Sequence, residues 1–206
     1  MYRHLPNSLT LFRLVLAGFY FLILNQYRYP DGPEWALWVS VVLFVMAGLT
    51  DWLDGYLARK WHVETVFGRV MDPFCDKVLV IGAFIYLSGP RFVDLAVVQS
   101  GKFQTMVSGI YPWMIALMLA RELLVTGFRG EMEDRGVAFG AQFSGKLKTI
   151  VQLVAIPVVI GIVALDPSDH RWMAITRDLL VYTTVLVTVV SGLPYVASAA
   201  RSMRQD

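Results

Sequence analysis

The sequence is poor in cysteine and in charged residues. Its 206 residues include one cysteine, Cys75, so no disulfide can form within the chain. Charged residues make up 17 % and apolar residues 56 %, whereas soluble domains have about a quarter charged and about half apolar residues. This balance argues against a soluble globular protein. The sequence also lacks internal repeats and long polar linkers, so we expect a single membrane domain over residues 1–206.

Long uncharged runs indicate the class of protein. A helix crosses the apolar core of a bilayer with about 20 consecutive apolar residues. The runs are Leu14–Asn25, Trp35–Thr50, Val78–Ser88, Ile110–Ala120, Ile150–Leu165 and Leu179–Ala200. Some of them reach this length only if their helices continue into polar flanks. No small-residue cleavage pattern follows the first run, so we expect it to be retained. The fold class predicted is an all-α integral membrane protein with six transmembrane helices.

The distribution of basic residues predicts the orientation of these helices. With six spans, both termini lie on the same side of the membrane. Of the 18 lysine and arginine residues, 13 fall on that side and 5 on the other. The positive-inside rule makes the richer side cytoplasmic. Aromatic residues lie near the outer ends of the spans, where they suit an interfacial belt: Tyr27, Tyr29, Trp35, Tyr111, Trp113 and Trp172.

Four aspartates cluster between the second and third apolar runs. Asp51, Asp54, Gly55, Ala58 and Arg59 form one series, and Gly68, Asp72 and Asp76 form another. Each series has the spacing of one face of an α-helix. Two helices joined by a short turn would therefore present two carboxylates each toward a common space. The small residues in both series would keep that space open.

The chemistry of four neighbouring carboxylates favours a metal site. Such a group cannot persist in a low-dielectric environment unless protons or cations compensate it. Carboxylate oxygens suit Mg²⁺, Mn²⁺ or Ca²⁺, and no histidine–cysteine cluster points to zinc. A pair of such ions can polarise a phosphoryl group and activate the attacking oxygen. Arg59 adds a guanidinium that suits phosphate oxygens. The pattern thus favours phosphoryl-group transfer.

Two other interpretations of the aspartates remain open. Each one alone could simply meet water or pair with a neighbouring cation. A metal-ion or proton-coupled carrier could also place carboxylates inside the membrane. Carriers commonly contain internal repeats and broken helices, and neither is visible in this sequence.

The complete spacing from Asp51 to Asp76 resembles the signature of the CDP-alcohol phosphotransferase family. All eight defined positions agree: Asp51, Asp54, Gly55, Ala58, Arg59, Gly68, Asp72 and Asp76. The resemblance implies a six-helix membrane fold, usually a homodimer, in the inner or plasma membrane. It also implies an active site that opens toward the cytoplasm, in agreement with the orientation predicted from charge.

Further blocks resemble the bacterial members of the family that use glycerol 3-phosphate. They are Pro6–Arg13, Thr50–Gly55, Ala120–Glu122, Gly145–Thr149 and Tyr195–Arg201. The resemblance implies CDP-diacylglycerol as donor and sn-glycerol 3-phosphate as acceptor, with phosphatidylglycerol phosphate and CMP as products. Because the signature concerns the donor, inositol phosphate, serine or a second phosphatidyl lipid stays open as acceptor. The segments Pro90–Gly109 and Gly130–Phe143 match no known block.

The resemblance also implies roles for individual residues. Asp51, Asp54 and Asp72 would be the core ligands of Mg²⁺ or Mn²⁺, with two ions expected. Asp76 would border the second ion and act as the general base for the acceptor hydroxyl. The residues that match positions contacting the cytidine diphosphate are Gly55, Arg59 and Thr65.

Four basic residues are candidates for binding the acceptor phosphate. They are Arg121, Arg129, Lys146 and Lys148, all on the predicted cytoplasmic side. Arg121 and Arg129 are eight residues apart and share a helix face if the helix continues that far. Positive-inside flanking or contact with anionic membrane lipids explains such residues equally well. Asn7 and Arg13 are further candidates for lining the cavity. No feature indicates nucleic-acid binding.

Overall fold

A computed structural model describes residues 5–61, 66–134, 143–166 and 170–195. Within these ranges, the side chains of residues 5–7, 9, 52, 54–59, 61, 66–70, 133–134 and 143–144 are not described. The helices are α1 (Leu5–Leu24), α2 (Glu34–Trp61), α3 (Val66–Leu87), α4 (Leu95–Gln99), α5 (Pro112–Asp134), α6 (Phe143–Ala164) and α7 (Arg171–Val190). The prediction of an all-α protein is confirmed over the described residues.

The six longer helices correspond to the six predicted apolar runs. Several extend well into polar sequence, as α3 does on the N-terminal side of Val78. Among the described residues, three segments are long and apolar enough to cross a membrane: Glu34–Asp51, Gly145–Ala164 and Arg171–Tyr195. A shorter apolar stretch, Thr10–Leu24, lies in α1.

Large apolar side chains cover the outward faces of the long helices. Leu22 of α1, Leu123 of α5 and Leu186 of α7 are 62 %, 65 % and 63 % exposed. Soluble monomers rarely expose contiguous apolar patches of large area. The exposed leucines therefore fit a protein whose surface contacts lipid.

Helix α3 lies among four other helices. It contacts α1, α2, α5 and α6, while α2 also packs on α1 and α6, and α7 packs on α5 and α6. Buried aromatic residues fill part of the space between α1 and α2. The ring centres of Tyr20 and Phe44, for example, are 5.6 Å apart. The helix that carries Asp72 and Asp76 is thus held from several sides.

Hydrogen bonds join the connecting segments at the end of the bundle away from the aspartates. The amide of Tyr29 donates to the carbonyl of Arg91 at 2.8 Å. Nη1 of Arg177, on α7, donates to the carbonyl of Val107 at 2.6 Å. Gly109 has a φ of +69°, and a Cβ there would lie 2.8 Å from Oδ1 of Asp178. A larger residue would therefore disturb the contact between the Pro90–Gly109 loop and α7.

The predicted aromatic belt is only partly correct. Trp35, Trp113 and Trp172 are 55 %, 51 % and 61 % exposed, as an interfacial belt requires. Tyr27 is instead buried, because its ring packs against Phe92 with centres 5.6 Å apart. Burial, with a smaller effect from nearby anionic groups, raises the pKa of Tyr27 to about 12. Its hydroxyl therefore stays protonated at neutral pH.

Candidate active site

The signature aspartates lie where α2 ends and α3 begins. Asp51 is in the C-terminal part of α2, and Asp72 and Asp76 are in the first half of α3. The backbone of Asp54, Gly55 and Arg59 continues α2, but their side chains lie outside the described part. The same holds for the side chain of Asn7, and Thr65 lies outside the described residues altogether. The predicted cytidine diphosphate contacts therefore remain predictions.

Asp51 is paired with a buried arginine from α1. Nη1 of Arg13 lies 2.6 Å from Oδ1 of Asp51. Arg13 is only 1 % exposed, whereas the side chain of Asp51 is 46 % exposed. A buried guanidinium requires an anionic or hydrogen-bonding partner to offset its lost hydration. Arg13 therefore fixes one oxygen of Asp51, and that side chain stays about half exposed in the C-terminal part of α2.

Asp72 also has a partner on α1. The hydroxyl of Thr10 donates to Oδ1 of Asp72 at 2.8 Å. Thr10 and Arg13 are three residues apart and so share a face of α1. Sequence reasoning proposed Arg13 only as a further cavity residue and did not identify Thr10. The helical spacing of these two polar residues, in an otherwise apolar run, was the available signal.

The turn of α3 that carries Asp72 and Asp76 also contains Pro73. Proline has no amide hydrogen, so it cannot donate to the carbonyl four residues earlier in a helix. The carbonyl of residue 69 consequently has no helical donor. An acceptor oxygen of the backbone is thus freed one turn before the two aspartates.

Asp76 lines a cavity between α3, α5 and α6. The cavity is lined by Asp76, Lys77, Val80, Ile81, Phe84, Ile115, Met118, Glu122, Lys148 and Gln152. Asp76, Val80 and Phe84 follow one another at four-residue steps, so the lining changes from acidic to apolar along α3. In the described part of the chain, the carboxylate of Asp76 makes no hydrogen bond or ion pair. The acid is therefore available to a molecule in the cavity.

Glu122 joins two of the four predicted phosphate-binding cations. Its Oε1 lies 2.6 Å from Nζ of Lys148 and 2.9 Å from Nη1 of Arg121. Lys148 and Glu122 are 9 % and 8 % exposed. Sequence reasoning named Glu122 only as part of a matching block and gave it no role. The sequence around Glu122 does not indicate a contact with Lys148, which lies 26 residues later.

The other two predicted cations lie elsewhere. Lys146 is exposed and does not line the cavity, whereas Lys148 does. Arg129 lies on α5 with Arg121, because the helix continues to Asp134 as its predicted face requires. Nε of Arg129 is buried and has no hydrogen-bond partner among the described residues. Glu122 thus contacts both Arg121 and Lys148, whereas Lys146 and Arg129 do not line the cavity beside Asp76.

The acidic residues fit a hard divalent cation by charge and by donor type. The negative charge of Asp72 acts on Asp51, and that of Asp51 acts on Asp76, so Asp51 is repelled by both of the other carboxylates. A bound cation would offset this repulsion, and carboxylate oxygens suit Mg²⁺ or Mn²⁺. Among the described side chains, which do not include Asp54, no group of three histidine, cysteine, aspartate or glutamate residues could hold a metal ion.

Comparison with known proteins identifies the family. Residues 3–191 match the model of the CDP-alcohol phosphatidyltransferase family, and the chain belongs to that family. This confirms the resemblance carried by the signature. The protein named CDP-diacylglycerol–glycerol-3-phosphate 3-phosphatidyltransferase of Bacillus subtilis (strain 168) is 33 % identical over 200 residues, which cover 93 % of each chain.

Two further relatives carry the same name. The protein from Haemophilus influenzae is 30 % identical over 202 residues, covering 97 % of this chain and 95 % of its own. The one from Escherichia coli (strain K12) is 28 % identical over 202 residues, covering 95 % and 94 %. The similarity thus extends over nearly the whole chain and is not restricted to the aspartate signature.

Proposed function

We propose that this protein transfers a phosphatidyl group from CDP-diacylglycerol to sn-glycerol 3-phosphate, giving phosphatidylglycerol phosphate and CMP. Membership of the family and the names of its relatives support the reaction class. The observation that carries the proposal is the cavity that Asp76 and Lys148 line together. A carboxylate and a cation in one cavity suit an acceptor that has a hydroxyl at one end and a phosphate at the other.

The donor would be held by the signature on α2 and α3. Asp51, Asp54 and Asp72 are the proposed ligands of Mg²⁺ or Mn²⁺, with Asp76 bordering a second ion. A divalent cation held there would supply positive charge that offsets the charge gathering on the departing CMP. Arg13 and Thr10 each fix one oxygen of a proposed ligand and so orient it. The residues proposed to contact the cytidine diphosphate are Gly55, Arg59 and Thr65.

The acceptor would bind beside Asp76, with its phosphate toward Lys148. Lys148 and Arg121 attract its phosphate, and Arg129 and Lys146 add positive charge on the same side. Asp76 takes the proton from the primary hydroxyl as the hydroxyl oxygen attacks the phosphorus that bears the diacylglycerol. A new phosphorus–oxygen bond forms to the acceptor while the bond to CMP breaks. The proton remains on Asp76 until solvent removes it.

The proposed setting is a single domain with six transmembrane helices in the plasma membrane or inner membrane. Both termini and the active site would face the cytoplasm, and the protein would form a homodimer. The three strongly apolar segments and the exposed leucines support a membrane location. Lys60→Cys and Lys102→Cys, each added to a chain whose own Cys75 is buried, test the orientation. In intact cells, a membrane-impermeant maleimide should label position 102 and spare position 60, and the reverse pattern would contradict the proposal.

The assay that tests the reaction measures CMP release from CDP-diacylglycerol. Purified protein should release CMP when glycerol 3-phosphate is present, and the lipid product should contain two phosphates. Glycerol, inositol phosphate, serine and phosphatidylglycerol serve as alternative acceptors. Faster release with one of these would assign a different acceptor. Absence of release with every acceptor would favour a carrier, for which ion uptake into vesicles is the corresponding assay.

A further inference from the structure

Glu122 holds two cations with a single oxygen atom. The distances from its Oε1 are 2.6 Å to Nζ of Lys148 and 2.9 Å to Nη1 of Arg121. A buried carboxylate is costly unless it is paired, and Glu122 is only 8 % exposed. The two cations explain how this acid is accommodated. Their fixed positions also affect the neighbouring acid, Asp76.

Lys148 has two carboxylates available in one cavity. Asp76 lines it from α3 and Glu122 from α5, while Lys148 comes from α6. The charge of Lys148 acts on Asp76, but its ammonium group hydrogen-bonds Glu122. The second lysine of the cavity, Lys77, donates to the hydroxyl of Thr126 at 2.8 Å. Neither lysine therefore forms an ion pair with Asp76 in the part of the chain that the structure describes.

The surroundings of Glu122 hold it in this arrangement. Nη2 of Arg121 donates to the carbonyl of Ser191 at 3.3 Å, and its guanidinium lies 5.9 Å from the ring centre of Tyr195. These contacts keep Arg121 beside Glu122. One turn beyond Lys148, the amide of Gln152 donates to Thr188 at 3.1 Å. With two cations around one carboxylate, the cluster keeps a net positive charge that suits a phosphate group.

We propose that Glu122 is a positioning residue that keeps the ammonium group of Lys148 away from Asp76. An ammonium bound to Asp76 would occupy the carboxylate oxygens that must accept the acceptor's proton and contact the metal ion. With Lys148 held by Glu122, its remaining N–H groups can bind the acceptor phosphate while Asp76 stays free. This inference rests on the proposed function, because it assigns a role within that reaction.

The experiment compares Glu122→Gln, Lys148→Met and the double variant, with kcat and KM measured separately. In Glu122→Gln, Lys148 loses its anionic partner and pairs with Asp76, so kcat should fall about tenfold or more. Lys148→Met should raise the KM for glycerol 3-phosphate. The double variant has no ammonium to block Asp76, and its kcat should recover from the Glu122→Gln level to that of Lys148→Met. A merely structural role predicts no such recovery when a second buried residue is altered.

Binding of Mn²⁺ without substrates provides a readout that is independent of turnover. Electron paramagnetic resonance should show about tenfold weaker Mn²⁺ binding in Glu122→Gln and restored binding in the double variant. Glu131→Gln, at an exposed position of α5, is the matched control and should change neither quantity. An unchanged kcat in Glu122→Gln, or a double variant no faster than Glu122→Gln, would overturn the inference. Wild-type protein that releases no CMP would instead refute the proposed function.

Discussion

Nη1 of Arg13 lies 2.6 Å from Oδ1 of Asp51, so a residue of α1 fixes the first aspartate of the signature. Arg13 is almost fully buried, so water cannot replace Asp51 as the partner of its guanidinium. The contact joins a position outside the signature to the proposed metal ligands. Helix α1 thus contributes to the candidate active site as well as to packing.

Arg13→Gln should reduce the rate of CMP release about tenfold or more, because the ion pair with Asp51 is lost and that carboxylate is no longer oriented. Arg13→Lys, which keeps the charge but not the planar fork, should lose less. The measurement is initial rate against Mg²⁺ concentration for each purified variant. A wild-type rate in Arg13→Gln would remove Arg13 from the site.

Asp76→Asn should abolish turnover while the protein still assembles in the membrane. The carboxamide cannot accept the hydroxyl proton, and loss of a general base lowers rates by about 10²–10⁴-fold. The rate of CMP release and the elution volume in detergent are measured together. Asp31→Asn, at an exposed position in the connection before α2, is the control. Retention of more than a tenth of the wild-type rate would exclude Asp76 as the base.

Removal of divalent cations should abolish CMP release. EDTA competes for the ions that the aspartates are proposed to hold, and added Mg²⁺ or Mn²⁺ should restore CMP release. Asp51→Asn should require a higher metal concentration for half-maximal activity, because one ligand charge is lost. Full activity in chelator would rule out the metal mechanism.

Lys148→Met should raise the KM for glycerol 3-phosphate about tenfold, because a charge-assisted contact to the phosphate is lost from a buried position. Lys146→Met is the matched variant two residues earlier on α6. Since Lys146 is exposed, its charge is screened by solvent and its loss should change that KM by about threefold at most. The KM for CDP-diacylglycerol should change little in either variant. A larger effect from Lys146 would relocate the acceptor phosphate.

Long uncharged runs were sufficient to predict the all-α fold and the positions of the long helices. Such runs are continuous in the sequence, so no knowledge of distant contacts is needed to recognise them. The signature likewise placed Asp51 on one helix and Asp72 and Asp76 on the next. It did so because each series is local in the chain.

Contacts between distant segments could not be predicted in this way. Thr10 and Asp72 are 62 residues apart, and Glu122 and Lys148 are 26 apart. Tyr27 was expected at the lipid interface because it follows an apolar run, but its ring is buried against Phe92 from another connection. The four basic candidates also looked alike in sequence, and only packing separates buried Lys148 from exposed Lys146.

The proline between Asp72 and Asp76 has a consequence for solvation. The backbone carbonyl that it deprives of a helical donor must obtain a hydrogen bond from water, a side chain or a bound ion. Hydrocarbon offers none of these, so this turn of α3 cannot face lipid without a polar partner. This turn of α3 therefore requires a polar environment beside the two carboxylates, and that requirement follows from the covalent structure of a single residue.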